Sequence, residues 1–214
     1  RDGVAVLASE LERCERIGIY VGGLPRERRW PFQYKAAFAP SDVIEEYTRP
    51  SRVVRHGKLT VLDALSEPEL MDFAGVGTLE AVITDGLRSL ARTMPGVPNM
   101  EEKTLRYPGH YELMRVFRAT GLFGKEPVDV RGVSVRPLDV VSALMFPKWT
   151  YEPGEEDLTV MRVIVEGVRA GTRVRVVQDL FDVFDRQSGA TSMARTTGLP
   201  CTAVARMILA GRVR

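Results

Sequence analysis

The feature that most constrains the fold is a pair of long strand-forming segments near the C-terminal end of the sequence. Thr159 to Glu166 and Thr172 to Phe181 are both rich in valine, and residues 167–171 join them with a glycine at each end. The two segments predict an antiparallel pair of strands. A second pair is predicted where 53–55 and 59–61 flank His56-Gly57-Lys58, because glycine allows the positive φ that a tight hairpin turn needs.

Further strands are predicted at 17–21, 32–38, 78–84 and 103–107, with helices at 4–11, 40–47, from 85 onward, 111–121, 138–146 and 190–210. Strands that arrive in hairpins and runs, without regular βαβ alternation, argue against a doubly wound parallel sheet. The sequence therefore predicts an α+β fold with a mixed, largely antiparallel open sheet and helices packed on one face.

Charge and composition exclude several classes of protein. Thirty basic side chains against 28 acidic ones leave a net charge of +2, too balanced for a dedicated nucleic-acid or anionic-membrane surface. No apolar run approaches 18 residues and the N-terminal residues lack the order of a signal peptide, so we expect a cytoplasmic protein. Two cysteines and two histidines are too few for a disulfide framework or a histidine metal site, so no metal is expected.

One glycine motif resembles the start of a dinucleotide-binding loop but fails on its context. The segment 75–80, Gly-Val-Gly-Thr-Leu-Glu, lacks the third glycine, and its glycines precede a strand instead of opening a helix. A tight turn into a strand is the better interpretation. The chain alone is therefore not expected to bind NAD tightly.

Three corners carry candidate ligand-binding residues. Arg106 ends a predicted strand before Pro108-Gly109-His110, where a guanidinium can meet a carboxylate; the alternative is a surface arginine at a turn into a helix. Thr84 and Asp85 form a second strand-to-helix corner, where Asp85 is alternatively a plain helix cap. Arg195 lies in a hydroxyl-rich helix start, and helix capping explains the hydroxyls but not this arginine.

Several segments together resemble the saccharopine dehydrogenase family, specifically its lysine 6-dehydrogenase-like branch. They occur in the family's order across nearly the whole chain: Ile19-Tyr20-Val21-Gly22-Gly23-Leu24-Pro25, residues 44–50 (IEEYTRP), 84–88 (TDGLR), 103–110 (KTLRYPGH) and 195–198 (RTTG). Any one of these segments alone would be a weak signal, whereas their combination and order are specific.

The resemblance implies that residues 1–214 form the substrate-binding and dimerising domain of an NAD(P)-dependent dehydrogenase. In this family such a domain follows an N-terminal Rossmann domain, which is absent from the chain and would bind most of the NAD or NADP. The resemblance also implies that Thr104, Leu105 and Arg106 hold the substrate, an amino acid, and that the complete enzyme is a homodimer. Thr84, Asp85 and Arg195 are added as substrate-binding candidates from their corners.

The resemblance leaves the substrate open among related amino acids. Saccharopine dehydrogenases carry an arginine where this sequence has Thr84, and losing a cation there removes about 2 to 5 kcal/mol from a buried carboxylate partner. Lysine, converted to 2-aminoadipate 6-semialdehyde, is therefore preferred over saccharopine or carboxynorspermidine. Tyr107 and His110 are the catalytic candidates, as orienting groups or a proton relay, because a histidine ordinarily titrates near working pH. A non-catalytic binding or dimerisation module is the alternative from another class.

Overall fold

The computed structural model describes residues 2–212, in which one large sheet carries most of the chain. Its strands are β1 (Arg13–Pro25), β2 (Ser51–Arg55), β3 (Lys58–Leu62), β4 (Glu69–Phe73), β5 (Gly77–Ile83), β6 (Asn99–Arg106), β9 (Asp157–Arg169) and β10 (Thr172–Val183), and a separate hairpin consists of β7 (Val128–Val130) and β8 (Val133–Val135). The helices are α1 (Asp2–Ser9), α2 (Pro40–Thr48), α3 (Leu90–Thr93), α4 (His110–Ala119), α5 (Pro137–Trp149) and α6 (Ser192–Leu209).

The strand order confirms the predicted mixed, largely antiparallel sheet. The order is β10-β9-β1-β6-β2-β3, with β5 paired to β6 and β4 paired to β5. Strands β1 and β6 run parallel, while the other pairs are antiparallel, including the predicted hairpins β2–β3 and β9–β10. Because β6 lies beside β1 and also contacts β2 and β5, it occupies the centre of the sheet.

Helices α2, α4 and α5 cover one face of the sheet and form its largest core. Tyr47 of α2, Tyr111 and Met114 of α4, and Trp149 of α5 are all buried in this core together with Val82 of β5. Side chains alternate along a strand, so Glu102, Thr104 and Arg106 of β6 share the face that these helices cover. The helix layer therefore buries three polar side chains.

The opposite face is closed by the sheet itself. The guanidinium of Arg162 on β9 donates to the carbonyl of Asp72 on β4 (3.2 Å) and lies 4.5 Å from the centre of the Phe73 ring. Strands β4 and β9 are four places apart in the sheet, so this contact requires the sheet to curl over. The curl encloses a second core that includes Leu105 and Tyr107.

The predicted strand at 32–38 is wrong. These residues form turns and irregular structure, and the Ala36 N–H donates to the carbonyl of Trp149 (2.8 Å) instead of to a neighbouring strand. Phe32 and Tyr34 are buried against the Trp149 ring, with ring centres 5.8 and 5.1 Å away. The aromatic residues that suggested a strand are therefore there because they fill the helix-side core.

The helix predicted to start at Asp85 is also wrong, since α3 begins only at Leu90. The Asp85 carboxylate accepts hydrogen bonds from the backbone N–H of Arg52 (3.1 Å) and from its guanidinium (2.9 and 2.8 Å). Strand β2 thus takes the oxygens that would cap a helix. Arg88 has a φ of 50°, which an α-helix does not accommodate. Strands β4, β7 and β8 were not predicted and are only three to five residues long.

Gly22 tests the close approach of β1 to β6. A Cβ at this position would lie 2.6 Å from the carbonyl oxygen of Leu105 and 2.8 Å from its Cβ. We expect Gly22→Ala to lower the free energy of unfolding by about 1 to 3 kcal/mol in urea titrations, because backbone must move. Gly96→Ala is the matched control, since nothing lies within 4 Å of its Cβ position and its stability should not fall. Equal losses in both variants would contradict the close approach.

Candidate functional site

Arg106 is the centre of a polar cluster on the helix-covered face. Only 3% of the residue is exposed. Its Nε donates to the Tyr47 hydroxyl (3.1 Å), its Nη1 donates to the carbonyl of Leu105 (2.9 Å), and its guanidinium lies 4.5 Å from the centre of the Tyr34 ring. A buried charge needs such partners, because unpaired burial costs several kcal/mol.

Glu46 of α2 gives Arg106 its acidic partner. Its Oε2 is 3.8 Å from Arg106 Nη2, which is close enough for an ion pair but too far for a hydrogen bond. This oxygen is buried and makes no hydrogen bond within residues 2–212. Burial raises the pKa of Glu46, while the charge of Arg106 acts in the opposite direction. The ion pair between Arg106 Nη2 and Glu46 Oε2 is therefore a loose one.

His110 is connected to Arg106 through Tyr47. The turn at Pro108-Gly109, with φ of 94° at Gly109, leads β6 directly into α4 and places His110 beside the strand end. His110 Nδ1 lies 3.0 Å from the carbonyl of Phe32, so Nδ1 carries the proton and donates. Nε2 must then accept from the Tyr47 hydroxyl (2.9 Å), which in turn accepts from Arg106. The three side chains form one directed hydrogen-bond chain.

The electrostatic environment keeps His110 neutral. Burial, aided by the charge of Arg106, lowers the pKa of His110 to about 3, although its bond to the Phe32 carbonyl acts the other way. The reason for expecting a proton relay, an ordinary pKa near working pH, therefore does not apply here. His110 is suited instead to fix the orientation of Tyr47.

Thr84 joins the cluster from the end of β5. Its hydroxyl hydrogen-bonds both Glu102 and the hydroxyl of Thr104, the latter at 2.7 Å, and all three residues are buried. Burial raises the pKa of Glu102 to about 8, with a smaller contribution from Glu46 and opposing ones from Thr84 and Arg106. The structure thus brings Thr84, Thr104, Arg106 and His110, four of the predicted site residues, together on one face.

The other predicted site residues lie apart from this cluster. Asp85 is held by Arg52, and although partial burial raises its pKa, the hydrogen bonds from Arg52 hold it below the ordinary value. The side chains of Leu105 and Tyr107 face the curled core, where the Tyr107 hydroxyl donates to the carbonyl of Pro25 (3.0 Å). Arg195 donates to the carbonyl of Val183 at the end of β10 (3.2 Å).

Sequence reasoning missed Tyr34, Glu46, Tyr47 and Glu102. Glu46 and Tyr47 belong to a segment that carries the family resemblance, but no role was assigned to them. Glu102 stands out only in the structure, as an acid within the stretch 100–106 of β6 that is buried at every residue, where charged residues are rare. Tyr34 could not be placed near Arg106 from the sequence, because residues 32–38 were predicted to form a strand.

Two buried polar atoms bear on what the cluster can hold. Trp149 Nε1 and Tyr151 OH are buried and make no hydrogen bond within the described part of the chain. Buried polar atoms of this kind need a partner from water or a ligand. In the same residues no three His, Cys, Asp or Glu side chains are grouped to hold a metal ion, and no helix is long and apolar enough to cross a membrane.

Comparisons with known proteins confirm the family that the sequence resembles. The sequence model of the saccharopine dehydrogenase C-terminal domain matches residues 5–214. A saccharopine dehydrogenase (NADP(+), L-glutamate-forming) of Schizosaccharomyces pombe is 34% identical over 92 residues, which are 42% of this chain and 20% of that protein. The chain therefore belongs to the saccharopine dehydrogenase family and corresponds to its C-terminal domain.

A solved structure shows the same fold. The chain superposes on apo histidine-tagged saccharopine dehydrogenase (L-Glu forming) from Saccharomyces cerevisiae with a TM-score of 0.79 at 16% identity. The match covers all of this chain and 64% of the yeast chain, so this chain spans only part of both relatives.

The pH dependence of stability tests the environment of His110. Below about pH 6.5 the unfolded chain protonates this histidine while the native state, with its lowered pKa, does not. The contribution of His110 to the free energy of unfolding should therefore be complete above pH 6.5. It should fall as the pH decreases toward 3, by at most about 1.4 kcal/mol per pH unit. We expect His110→Gln to be less stable than the wild type at pH 7, with the difference narrowing at pH 4 in urea unfolding.

His56→Gln is the matched control, because His56 is exposed at the β2–β3 turn. It should follow the wild-type curve. A constant difference between wild type and His110→Gln from pH 7 to pH 4 would show that His110 is not kept neutral by the fold.

Proposed function

We propose that this chain binds the substrate of an NAD(P)-dependent dehydrogenase that acts on a CH–NH or CH–NH2 group of an amino acid, and that Arg106 holds the substrate carboxylate. The observation that carries the proposal is the guanidinium itself, buried but only loosely paired with Glu46 at 3.8 Å. A carboxylate has two oxygens that match the planar donors of arginine, so it would complete this coordination.

The surroundings of Arg106 support a small polar ligand. Tyr34 and Trp149 supply an aromatic wall with ring centres 5.1 Å apart, and the unpartnered Trp149 Nε1 and Tyr151 OH are polar atoms that a ligand can satisfy. Small-molecule sites combine such apolar walls with a few polar groups that fix orientation. Arg106 is covered in the present conformation, so substrate entry requires a movement of the groups over it, and Glu46 of α2, its loosely held partner, is the candidate.

The described residues do not fit a dinucleotide cofactor. Gly75 lies in the turn between β4 and β5 and Gly77 is the first residue of β5, so the two glycines connect antiparallel strands and do not open a helix that could receive a pyrophosphate. We therefore assign the binding of NAD or NADP mainly to a Rossmann domain outside this chain. The residues of this chain would bind and orient the substrate, with Arg106 and Thr104 as contacts, Thr84 acting through Thr104 and His110 through Tyr47. Tyr107, Asp85, Leu105 and Arg195 are further candidates without a contact to the cluster's hydroxyls.

Lysine is our preferred substrate because of Thr84. This residue occupies a position where saccharopine dehydrogenases carry an arginine, and its hydroxyl is committed to Glu102 and Thr104. Among the described residues that hydrogen-bond within the cluster, Arg106 supplies the guanidinium, which matches a substrate with one carboxylate.

Saccharopine is the second candidate, and a separate observation favours it. Arg52, Arg88 and Arg92 line an open cavity of about 410 Å³ beside the Thr84–Asp85 corner. Arg88 and Arg92 make no ion pair with an acid among residues 2–212, so they are available to additional carboxylates. The names of the two relatives point the same way.

The deciding experiment is an assay of the full-length protein. NAD and NADP reduction should be followed with L-lysine, saccharopine and carboxynorspermidine, and we expect the highest kcat/KM with lysine. Preference for saccharopine would assign the arginine-lined cavity to its extra carboxylates and overturn the choice of lysine. Absence of turnover with all three would favour a non-catalytic module.

We also propose that the exposed edge of β10 mediates dimerisation. This edge strand has 12 residues and exposes Val177 and Phe181, the latter by 53%. An unpaired edge of this length is normally protected by another chain or by charges. A monomer in sedimentation equilibrium at micromolar concentration would contradict this.

Replacing Arg106 tests its contact with the carboxylate. We expect Arg106→Lys to raise KM for the preferred substrate and Arg106→Ala to raise it further, by about 30-fold or about 2 kcal/mol of lost binding, because lysine keeps the charge without the planar donors. Arg131→Ala, in the exposed turn between β7 and β8, is the matched control. If both Arg106 variants fold, as judged by circular dichroism, and keep the wild-type KM, Arg106 does not bind substrate.

A further inference from the structure

Glu102, Thr84 and Thr104 form a chain of hydrogen bonds that ends beside Arg106. Glu102 bonds the Thr84 hydroxyl, which lies 2.7 Å from the Thr104 hydroxyl, and Thr104 precedes Arg106 by two residues on the same face of β6. Gly86 covers the carboxyl so closely that a Cβ there would lie 2.3 Å from Glu102 Cδ. The carboxyl end of the chain is therefore closed, and the Thr104 end lies toward Arg106.

The groups that face the Glu102 carboxyl are few. Glu46 approaches from α2, Arg106 from β6, Tyr111 from α4, and the Gly86 N–H donates from the loop after β5. On the β1 side the residue in register with Glu102 is Ile19, which is apolar. Tyr111 donates to the backbone carbonyl of Thr104 (2.7 Å), so its hydroxyl is not part of the chain.

The protonation of Glu102 sets the direction of the chain, because a threonine hydroxyl has one proton to donate. If the carboxyl is neutral, its O–H donates to Thr84, Thr84 donates to Thr104, and the Thr104 proton is left for an external acceptor. If the carboxyl is ionised, every bond reverses, and Thr104 presents only lone pairs. The same hydroxyl thus recognises an anion in one state and a cation in the other.

The surroundings favour the neutral state at pH 7. Burial raises the pKa of Glu102 to about 8, and Glu46 adds to this, while the bonds from Thr84 and Gly86 and the charge of Arg106 lower it in part. No cation forms an ion pair with Glu102 among residues 2–212.

We propose that Glu102 is a positioning residue that, through Thr84, turns the Thr104 hydroxyl proton toward a substrate carboxylate oxygen next to Arg106. The ligand contact is made by Thr104, and Glu102 acts through two bonds without touching the ligand. This inference rests on the proposed function in one respect, that the ligand at Arg106 is a carboxylate.

The orientation of the chain can be tested without any ligand. In the full-length protein labelled with ¹³C at glutamate carboxyls, the Glu102 signal is identified by its loss in Glu102→Gln. We expect it to titrate near pH 8 instead of near 4.5, and to titrate higher still in Thr104→Val, which can no longer donate into the ionised chain. Thr60→Val, on exposed β3, should leave the titration unchanged. A titration near pH 4.5, or one that Thr104→Val does not move, would overturn the proposal.

Ligand binding tests the proposed contact between the Thr104 hydroxyl and the substrate carboxylate. Calorimetry should compare L-lysine binding to wild type and Glu102→Gln at pH 7 and pH 9, because glutamine mimics the neutral acid by donating its amide N–H to Thr84. The ratio of the lysine dissociation constants, wild type over variant, should be about tenfold larger at pH 9 than at pH 7, because the Glu102 carboxyl ionises between these two pH values. Cadaverine, which is lysine without its carboxylate, should show no such change.

The outcomes separate this inference from the proposed function. A wild-type to variant ratio that is the same at both pH values would overturn the role of Glu102 even if lysine binds. If lysine binds neither protein, the proposed substrate is wrong and the carboxylate contact falls with it, while the titration of Glu102 still decides the orientation of the chain.

Discussion

Burial of one guanidinium group, that of Arg106, determines how the helix layer meets the sheet. A charge placed under helices must be surrounded by partners, since leaving it unpaired costs several kcal/mol. Tyr47, Tyr34 and Glu46 supply them from α2 and from the segment before it, and His110 fixes Tyr47 from α4. The same contacts that stabilise the charge therefore hold two helices and one irregular segment in register with β6.

Neighbouring acids of β6 show how the two faces of one strand create different chemistry. Glu101 points away from the helices and receives hydrogen bonds from Arg16 (2.5 Å) and Arg55 (2.7 Å). Although burial raises it, these two cations hold the pKa of Glu101 below its ordinary value. Glu102 faces the helix layer, has hydroxyl partners instead of cations, and has its pKa raised to about 8. A shift of one residue in the sequence thus separates an ion-pair member with a lowered pKa from a buried acid with a raised pKa.

The sequence was sufficient to predict the mixed sheet and to single out Arg106, the central residue of the polar cluster. Hairpins such as β2–β3 and β9–β10 have local signals, namely alternation and a glycine turn, and Arg106 follows from a strand that ends at Pro-Gly. The error at 32–38 arose because aromatic residues suit a strand and a helix-side core equally well. Glu46 and Tyr47 could not be placed because their roles depend on the packing of α2 against β6, which joins residues about 60 positions apart. Whether the residues named in advance bind substrate stays a prediction.

The sheet order has a consequence for how the chain is made. Strand β1 is near the start of the sequence, yet its two neighbours, β6 and β9, are among the later strands. At synthesis rates of roughly 5 to 20 residues per second, about 130 residues and roughly 7 to 26 seconds separate the emergence of β1 from that of β9. During that interval the valine- and isoleucine-containing β1 has at least one unpaired edge, and both of its edges are unpaired until β6 emerges. Gly22, which the close approach of β6 later requires, makes β1 a poor template for premature pairing, together with Gly18 and Gly23.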